Sequence, residues 1–230
     1  MRLGLLVCDH VMPQFVEVAG DYDVMFGGLL NGVELAAFDL TAMELPADLD
    51  AYDGWITTGS KLSVYDDEPW VHAFADLVRL LDRERRRLVG VCFGHQMIAH
   101  ALGGKVIKSD QGWRVGIKEV DIVNPQSWME PVRESFRVLN SHQDQVVDLP
   151  AHATLVGSNE HCPVSMMTVG DHFLGIQGHP EFVPEYSRAL MEARRGIRIP
   201  EEVVDEGLAS LNLAPDRELL AKWMLDFLAG

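Results

Sequence analysis

An α/β fold built on an open, mostly parallel sheet with helices on both faces is the class this sequence predicts. Three observations point to it. Short apolar runs bounded by turn residues alternate with helix-period segments through the first hundred residues. The runs are apolar at successive positions, as strands covered on both faces require. Between two of them lies a long segment with one clear amphipathic period.

The strand-like runs are Leu3 to Cys8, Val33 to Phe38, Gly54 to Thr57 and Leu88 to Val91. Between the last two, Trp70, Phe74, Leu77, Val78 and Leu81 recur at helical spacing, which predicts a helix with one buried face. Asp66, Asp67 and Glu68 precede Pro69, so acidic groups and a first-turn proline mark that helix's start. After Val91 comes Cys92 and then a helix predicted to end at Gly103 and Gly104. From Lys105 to Phe182, short pieces separated by Gly, Pro, Asn and Asp predict a small antiparallel β region. Helical patterning returns from Glu185, and Leu219, Leu220, Trp223, Met224 and Phe227 form a stripe expected to pack in the core. No internal repeat, low-complexity tract or long linker divides the chain, so residues 1–230 are expected to form one domain.

Length and charge narrow the function classes. A chain of 230 residues, 47% hydrophobic and 23% charged, can bury a sizeable core and is neither disordered nor fibrous. Its net charge of −16 repels phosphate backbones and anionic headgroups, so nucleic-acid and membrane partners are not expected. Cys8, Cys92 and Cys162 are too few for a disulfide framework, which suits a reducing compartment. The N-terminal apolar run is broken by Asp9 and His10, and no run approaches the roughly 18 apolar residues of a spanning helix, so a cytoplasmic protein is expected.

The chemistry concentrates at two places. In VGVCFGHQ, Cys92 falls where a buried strand turns into a helix, with its sulfur near the positive helix end. A thiolate is favoured there and is a competent nucleophile. Gly90 and Gly94 flank it as GxCxG and allow a tight backbone. In GIQGHPEF, a strand over Phe173 to Ile176 leads into His179, with Glu181 two residues on. That carboxylate can orient the imidazole while the other ring nitrogen faces a thiol. On these residues alone a surface HPE turn is an equal reading.

Taken together, GVCFGHQ and GHPEF resemble the nucleophile elbow and histidine–glutamate pair of the class I glutamine amidotransferases. TTGS after the third strand, GWRVG in the middle and NSHQDQV before the later β region fall in the family's order, and the likeness covers nearly the whole chain. GSKLSVYDDEPW is similar to stand-alone proteins related to the glutaminase domain of GMP synthase, so an attached synthetase domain is not expected. The resemblance implies a flavodoxin-like sheet and a triad of Cys92 as nucleophile, His179 as general acid and base, and Glu181 as its orienter. It implies oxyanion donors in the backbone N–H groups of Gly59 and Phe93, each typically worth roughly 3 to 4 kcal/mol of barrier. Gln96 matches the side chain that contacts the substrate's α-groups, and Ser141, His142 and Gln143 match the stretch whose backbone holds the same end. The oxyanion turn reads TGS where GGP is common, and Phe93 replaces a smaller residue; both are expected to border the pocket and to bear on substrate preference.

The implied reaction is hydrolysis of the γ-amide of glutamine, or of a γ-glutamyl compound, through a cysteine thioester. It needs no metal or organic cofactor, and ammonia from glutamine would pass to a synthetase on a separate chain. The alternatives are a γ-glutamyl peptidase acting on glutathione-type conjugates and a non-catalytic binding module on the same fold. The intracellular proteases of similar topology share the nucleophile elbow, but GHPEF and SHQDQV match them poorly.

The remaining chemistry-bearing residues have plainer readings. His10, His95, His100, His142, His152, His161 and His172 lack metal-ligand spacing, and His95 and His100 are expected to pack or hydrogen-bond on their helix. Cys8 reads as a small core residue and Cys162 as an incidental thiol in a polar turn. Arg83, Arg85, Arg86 and Arg87 read as a solvated helix end. Trp113 either lines the pocket mouth or packs, and Glu201, Glu202, Asp205 and Glu206 mark the start and outer face of a helix.

Overall fold

Alternation within each strand sorts the side chains to two sides of one sheet. In the computed structural model, which describes residues 1–230, Leu3, Leu5 and Val7 of β1 (Arg2–Val7) face one layer of helices and Leu6 faces the other. The chain then runs through the short helix α1 (Val16–Ala19) and α2 (Tyr22–Leu29), whose N-cap Asp21 accepts a hydrogen bond from the Tyr22 N–H at 2.8 Å. Next come β2 (Glu34–Asp39), β3 (Gly54–Thr57), α3 (Pro69–Arg83), β4 (Leu88–Val91) and α4 (Phe93–Ala101). They are followed by β5 (Lys105–Lys108), β6 (Arg114–Ile122), β7 (Ser135–His142), β8 (Asp144–Asp148), β9 (Ala153–Ser158), β10 (Met166–Val169) and β11 (Phe173–Ile176). Helices α5 (Pro184–Arg194), α6 (Glu201–Ser210) and α7 (Arg217–Ala229) complete the chain.

Nine strands form one sheet in the order β2-β1-β3-β4-β11-β10-β9-β6-β7, and β5 pairs with β8 in a separate two-stranded sheet. The first five are parallel and the rest antiparallel, so the expected open α/β sheet is present. The antiparallel part extends the main sheet as well as forming the small one. Helices α2 and α7 cover one face, with Trp223, Met224 and Phe227 packed there as the stripe predicted and Leu219 at its margin. Helices α3 and α4 cover the other face. Helix α3 starts at Pro69 as predicted and buries Trp70, Phe74, Leu77, Val78 and Leu81, each worth roughly 1.5–3 kcal/mol of transfer free energy for a large side chain. No helix is long and apolar enough to cross a membrane.

Three expectations are corrected. Strand β2 is not covered on both faces: it sits at the sheet edge, and its residues are half-buried or exposed. The arginine run is not simply solvated. Arg85 pairs with Asp171, Arg86 with Asp50, and Arg87 donates to the Phe227 carbonyl, so the run staples α3 to the loops and to α7. Cys162 is buried, because its turn folds inward with the Cys162 N–H bonded to Asn159 Oδ1 at 2.8 Å; burial pushes its thiol up to about 11. Cys8 is a core residue as expected, and burial raises its thiol well above the ordinary range.

The glycines of GxCxG serve close packing. A Cβ on Gly90 would lie 2.6 Å from the Gly94 backbone carbon, and one on Gly94 would lie 1.7 Å from Thr57 Oγ1. The first turn of α4 is therefore pressed against β4 and β3. Gly94→Ala is expected to force these elements apart and destabilise the protein by about 1–3 kcal/mol, the range for overpacking a tight core. Urea unfolding would show a lower midpoint at an unchanged slope; an unchanged midpoint would contradict this packing account.

Candidate active site

Strands β3, β4 and β11 run parallel, so their carboxyl ends open on one edge of the sheet, where open α/β folds place their sites. The register pairs Val91 with Ile176, and the Cys92 N–H donates to the Ile176 carbonyl at 2.8 Å. That alignment sets Cys92 beside the residues that follow β11. Gln177 Nε2 reaches the Cys92 sulfur at 3.6 Å, and the His179 ring lies on the same side, so that a Cβ built on Gly59 would sit 2.8 Å from His179 Cε1 and 3.6 Å from Cys92 Cβ. Residues 87 positions apart in the chain thus meet through one strand pairing.

Cys92 is strained. Its φ of 50° and ψ of −97° place a non-glycine residue in a left-handed region, at the N-cap of α4. Such backbone holds only where the surroundings over-determine it, and here both β4 and α4 do so. The strain turns the side chain out of the strand towards the cleft, while the N–H of Phe93, the first residue of α4, has no intrahelical acceptor. The Gly59 N–H also lacks an acceptor in the protein. The loop holding it is tied down: Thr58 Oγ1 accepts from the Cys8 N–H at 2.8 Å and donates to the Gly59 carbonyl at 2.9 Å. A Cβ on Gly59 would lie 2.8 Å from His179 Cε1, which explains glycine there.

His179 is fixed from every side. Its Nδ1 bonds to Glu181 Oε1 at 2.7 Å, its ring stacks on Phe182 at 3.9 Å between centroids, and its backbone N–H donates to the Leu139 carbonyl at 2.7 Å. Arg217 on α7 grips the turn by donating to the carbonyls of Pro180 and Glu181 at 3.0 and 3.1 Å. Glu181 is fully buried, and its Oε2 has no partner, so the imidazole is the main counter-charge for the carboxylate. Burial alone would disfavour a charged imidazole. The charge of Glu181 and its hydrogen bond, with the neighbouring Cys92, outweigh it and hold His179 well above the ordinary histidine value.

A cleft of about 370 Å³ opens over the sulfur, lined by Cys92, His179, Gln96, Ser141, His142 and Gln143 among others. The structure therefore brings together the predicted triad and the four predicted substrate residues. Gln96 is buried, and its Nε2 donates to the Asp144 carbonyl at 2.8 Å and to Gln177 Oε1 at 3.2 Å, so its amide N–H groups serve the scaffold. Gln143 Nε2 donates to the Ser109 carbonyl. His142 is kept neutral by burial, which pushes it down to about 3. The Phe93 side chain does not border the cleft: it packs into the core against Trp70 and Phe74 at 5.5 and 6.2 Å, so only its backbone belongs to the site. Trp113 lines the cleft and is also packed, lying under the Arg194 guanidinium at 5.7 Å. Gln177, Asp144 and Arg194 went unpredicted; Gln177 lies within the quoted GIQGHPEF segment, whereas Arg194 stands in a helix with no motif around it.

The family model for class-I glutamine amidotransferase matches residues 32–198, more than half of the chain. The chain belongs to the class I glutamine amidotransferase family. Among similar members, gamma-glutamyl peptidase 3 of Arabidopsis thaliana is 34% identical over 191 residues, covering 80% of this chain and 77% of that protein. A glutamine-hydrolysing GMP synthase subunit of Sulfolobus acidocaldarius is 29% identical over 167 residues, covering 72% of this chain and 87% of that protein. The crystal structure of a glutamine amidotransferase from Thermotoga maritima superposes with a TM-score of 0.75 at 21% identity, over 99% of this chain and 96% of that one, which shows the shared fold.

The raised His179 has a pH signature. Its stabilising effect is fully present below the unfolded histidine value of about 6.5 and is lost as the pH climbs through the folded value. An NMR titration should find the His179 ring still charged at pH values where an ordinary histidine is neutral. In Glu181→Gln the midpoint should drop and the alkaline loss of stability should begin earlier. A midpoint unmoved by that substitution would sink the account of the pair.

Proposed function

We propose that this family member hydrolyses the γ-amide bond of a γ-glutamyl compound, glutamine included, through a thioester on Cys92. The observation that carries the reading is the strained Cys92 facing an imidazole whose other nitrogen is bound by a buried carboxylate. In the first half-reaction the Cys92 sulfur attacks the γ-carbonyl carbon, and the resulting oxyanion takes hydrogen bonds from the Gly59 and Phe93 N–H groups. His179 then delivers its proton to the leaving nitrogen as the C–N bond breaks. In the second half-reaction His179 takes a proton from water, whose oxygen attacks the thioester. Glutamate leaves, the sulfur departs with the electron pair of the C–S bond, and His179 again carries the proton with which the cycle began. Glu181 keeps the imidazole oriented and stabilises its charged form throughout.

Gln96, Ser141, His142 and Gln143 lie along the wall where the α-end of the donor would rest. The relatives named gamma-glutamyl peptidases support including peptide and conjugate donors. Where glutamine is the donor, the ammonia released is available to a synthetase on another chain, as the likeness to a GMP synthase subunit suggests. The protein is expected to act in the cytoplasm.

Incubation of the pure protein with glutamine, glutathione and γ-glutamyl conjugates, reading ammonia and glutamate, tests the reading. Glutamate is expected from at least one donor, with loss of turnover to background in Cys92→Ser. A γ-electrophilic glutamine analogue should label Cys92 and spare the buried Cys8 and Cys162. Turnover that survives in Cys92→Ser, or labelling elsewhere, would overturn the assignment.

A further inference from the structure

Arg194, the last residue of α5, is a cation without a counter-ion beside the reaction site. It is half-buried and lines the cleft with Cys92 and His179. Its Nη1 donates to Ser141 Oγ at 3.0 Å, and its guanidinium rests on the Trp113 ring. A guanidinium carries five N–H donors, and Ser141 occupies one. The others have no partner in the protein and are not sealed from the cleft. Several other arginines have acidic partners, as Arg86 has Asp50 and Arg195 has Glu192 and Asp205. Arg194 instead has another cation, Arg198, as its neighbour on the cleft wall. A desolvated, planar fork of donors left open in this way is complementary to a carboxylate.

We propose, resting on the hydrolase reading above, that Arg194 is a specificity-determining residue that takes the α-carboxylate of the γ-glutamyl donor. Position decides which carboxylate it takes. Ser141, which Arg194 bonds, belongs to the segment expected at the donor's α-end, and Arg194 lines the same cleft as Cys92 and His179. In a glutamyl group three carbons separate the α-carboxylate from the γ-carbonyl, so one group can reach both. Trp113 and Ser141 hold the fork in place before the donor arrives. A γ-amide without a free α-carboxylate leaves that fork unmatched and is disfavoured.

The test compares γ-glutamyl-p-nitroanilide with its α-carboxamide in the wild type, Arg194→Gln and Arg194→Lys. The wild type should prefer the free acid by about 10- to 100-fold in kcat/KM, the size of one charge-assisted hydrogen-bonded contact. Arg194→Gln should bring that ratio near one, chiefly through KM, and Arg194→Lys should restore part of it. Equal losses on both donors would make Arg194 a merely structural support and overturn the proposal, as would an unchanged ratio. A preference that moves instead between γ-glutamylglycine and its C-terminal amide would put Arg194 on the leaving-group side and also overturn it. Absence of wild-type turnover on every γ-glutamyl donor overturns the hydrolase reading itself, an outcome distinct from a Gln variant that keeps its preference.

Discussion

A carboxylate with no exposure, bonded at 2.7 Å to a buried imidazole, is the interaction on which the rest of this molecule is arranged. Burying either charge alone would be strongly unfavourable, and removing one partner of such a pair leaves the other uncompensated. The surroundings are organised to keep the two together. Phe182 supplies a flat apolar floor, β7 takes the His179 N–H, and Arg217 reaches from α7 to hold the backbone of the turn. Two distant elements, β7 and α7, therefore converge with the adjacent Phe182 on one HPE turn. The result is an imidazole with one nitrogen committed to Glu181 and the other left unbonded in the cleft it shares with the sulfur, which is the arrangement that proton transfer to and from a leaving group requires.

The second constraint is steric. Cys92 can hold its left-handed backbone only while β4 and α4 are locked at both ends of it, and that lock is built from missing side chains. Gly90 lets the backbone of Gly94 approach, and Gly94 in turn accommodates Thr57 from the neighbouring strand. Thr57 completes the contact with a hydrogen bond, its Oγ1 accepting from the Val91 N–H at 3.1 Å. The strain at the sulfur is thus supported by the packing of three elements, and the same packing carries the site's backbone N–H groups. Geometry at the cysteine and stability of the sheet are parts of one structure.

Much of this was legible in the chain because it is written locally. The strand-to-helix turn at Cys92, the proline start of α3 and the HPE triplet are each set by residues within a few positions of one another. What could not be read depends on partners far away. That β2 is an edge strand follows from sheet order, which no local pattern carries. Arg86 and Arg87 look like a helix terminus until Asp50 and Phe227 are placed beside them. Phe93 looks like a pocket residue because it follows the nucleophile, yet helical geometry turns its side chain roughly 100° away, into Trp70 and Phe74. Gln177 has no signal of its own: its value comes from the register of β11 against β4.

Charge distribution gives the last step. With a net charge of −16 the protein has acid to spare, and many of its exposed arginines and lysines have found a carboxylate. In the cleft most of the cations have none. Of the acids on its walls, Asp9 is taken by Lys61, and Asp144 accepts from Ser63, leaving Lys108, Arg194 and Arg198 without acidic partners. An anionic surface around a cationic cleft lowers the chance encounter with anions everywhere except where they are wanted, and focuses the field at the opening. A guanidinium kept partly out of water with no counter-ion is unfavourable in the empty protein, and that cost is recovered only when an anion arrives. Selectivity in such a site comes from the unmatched charge as much as from the fit of the group that matches it.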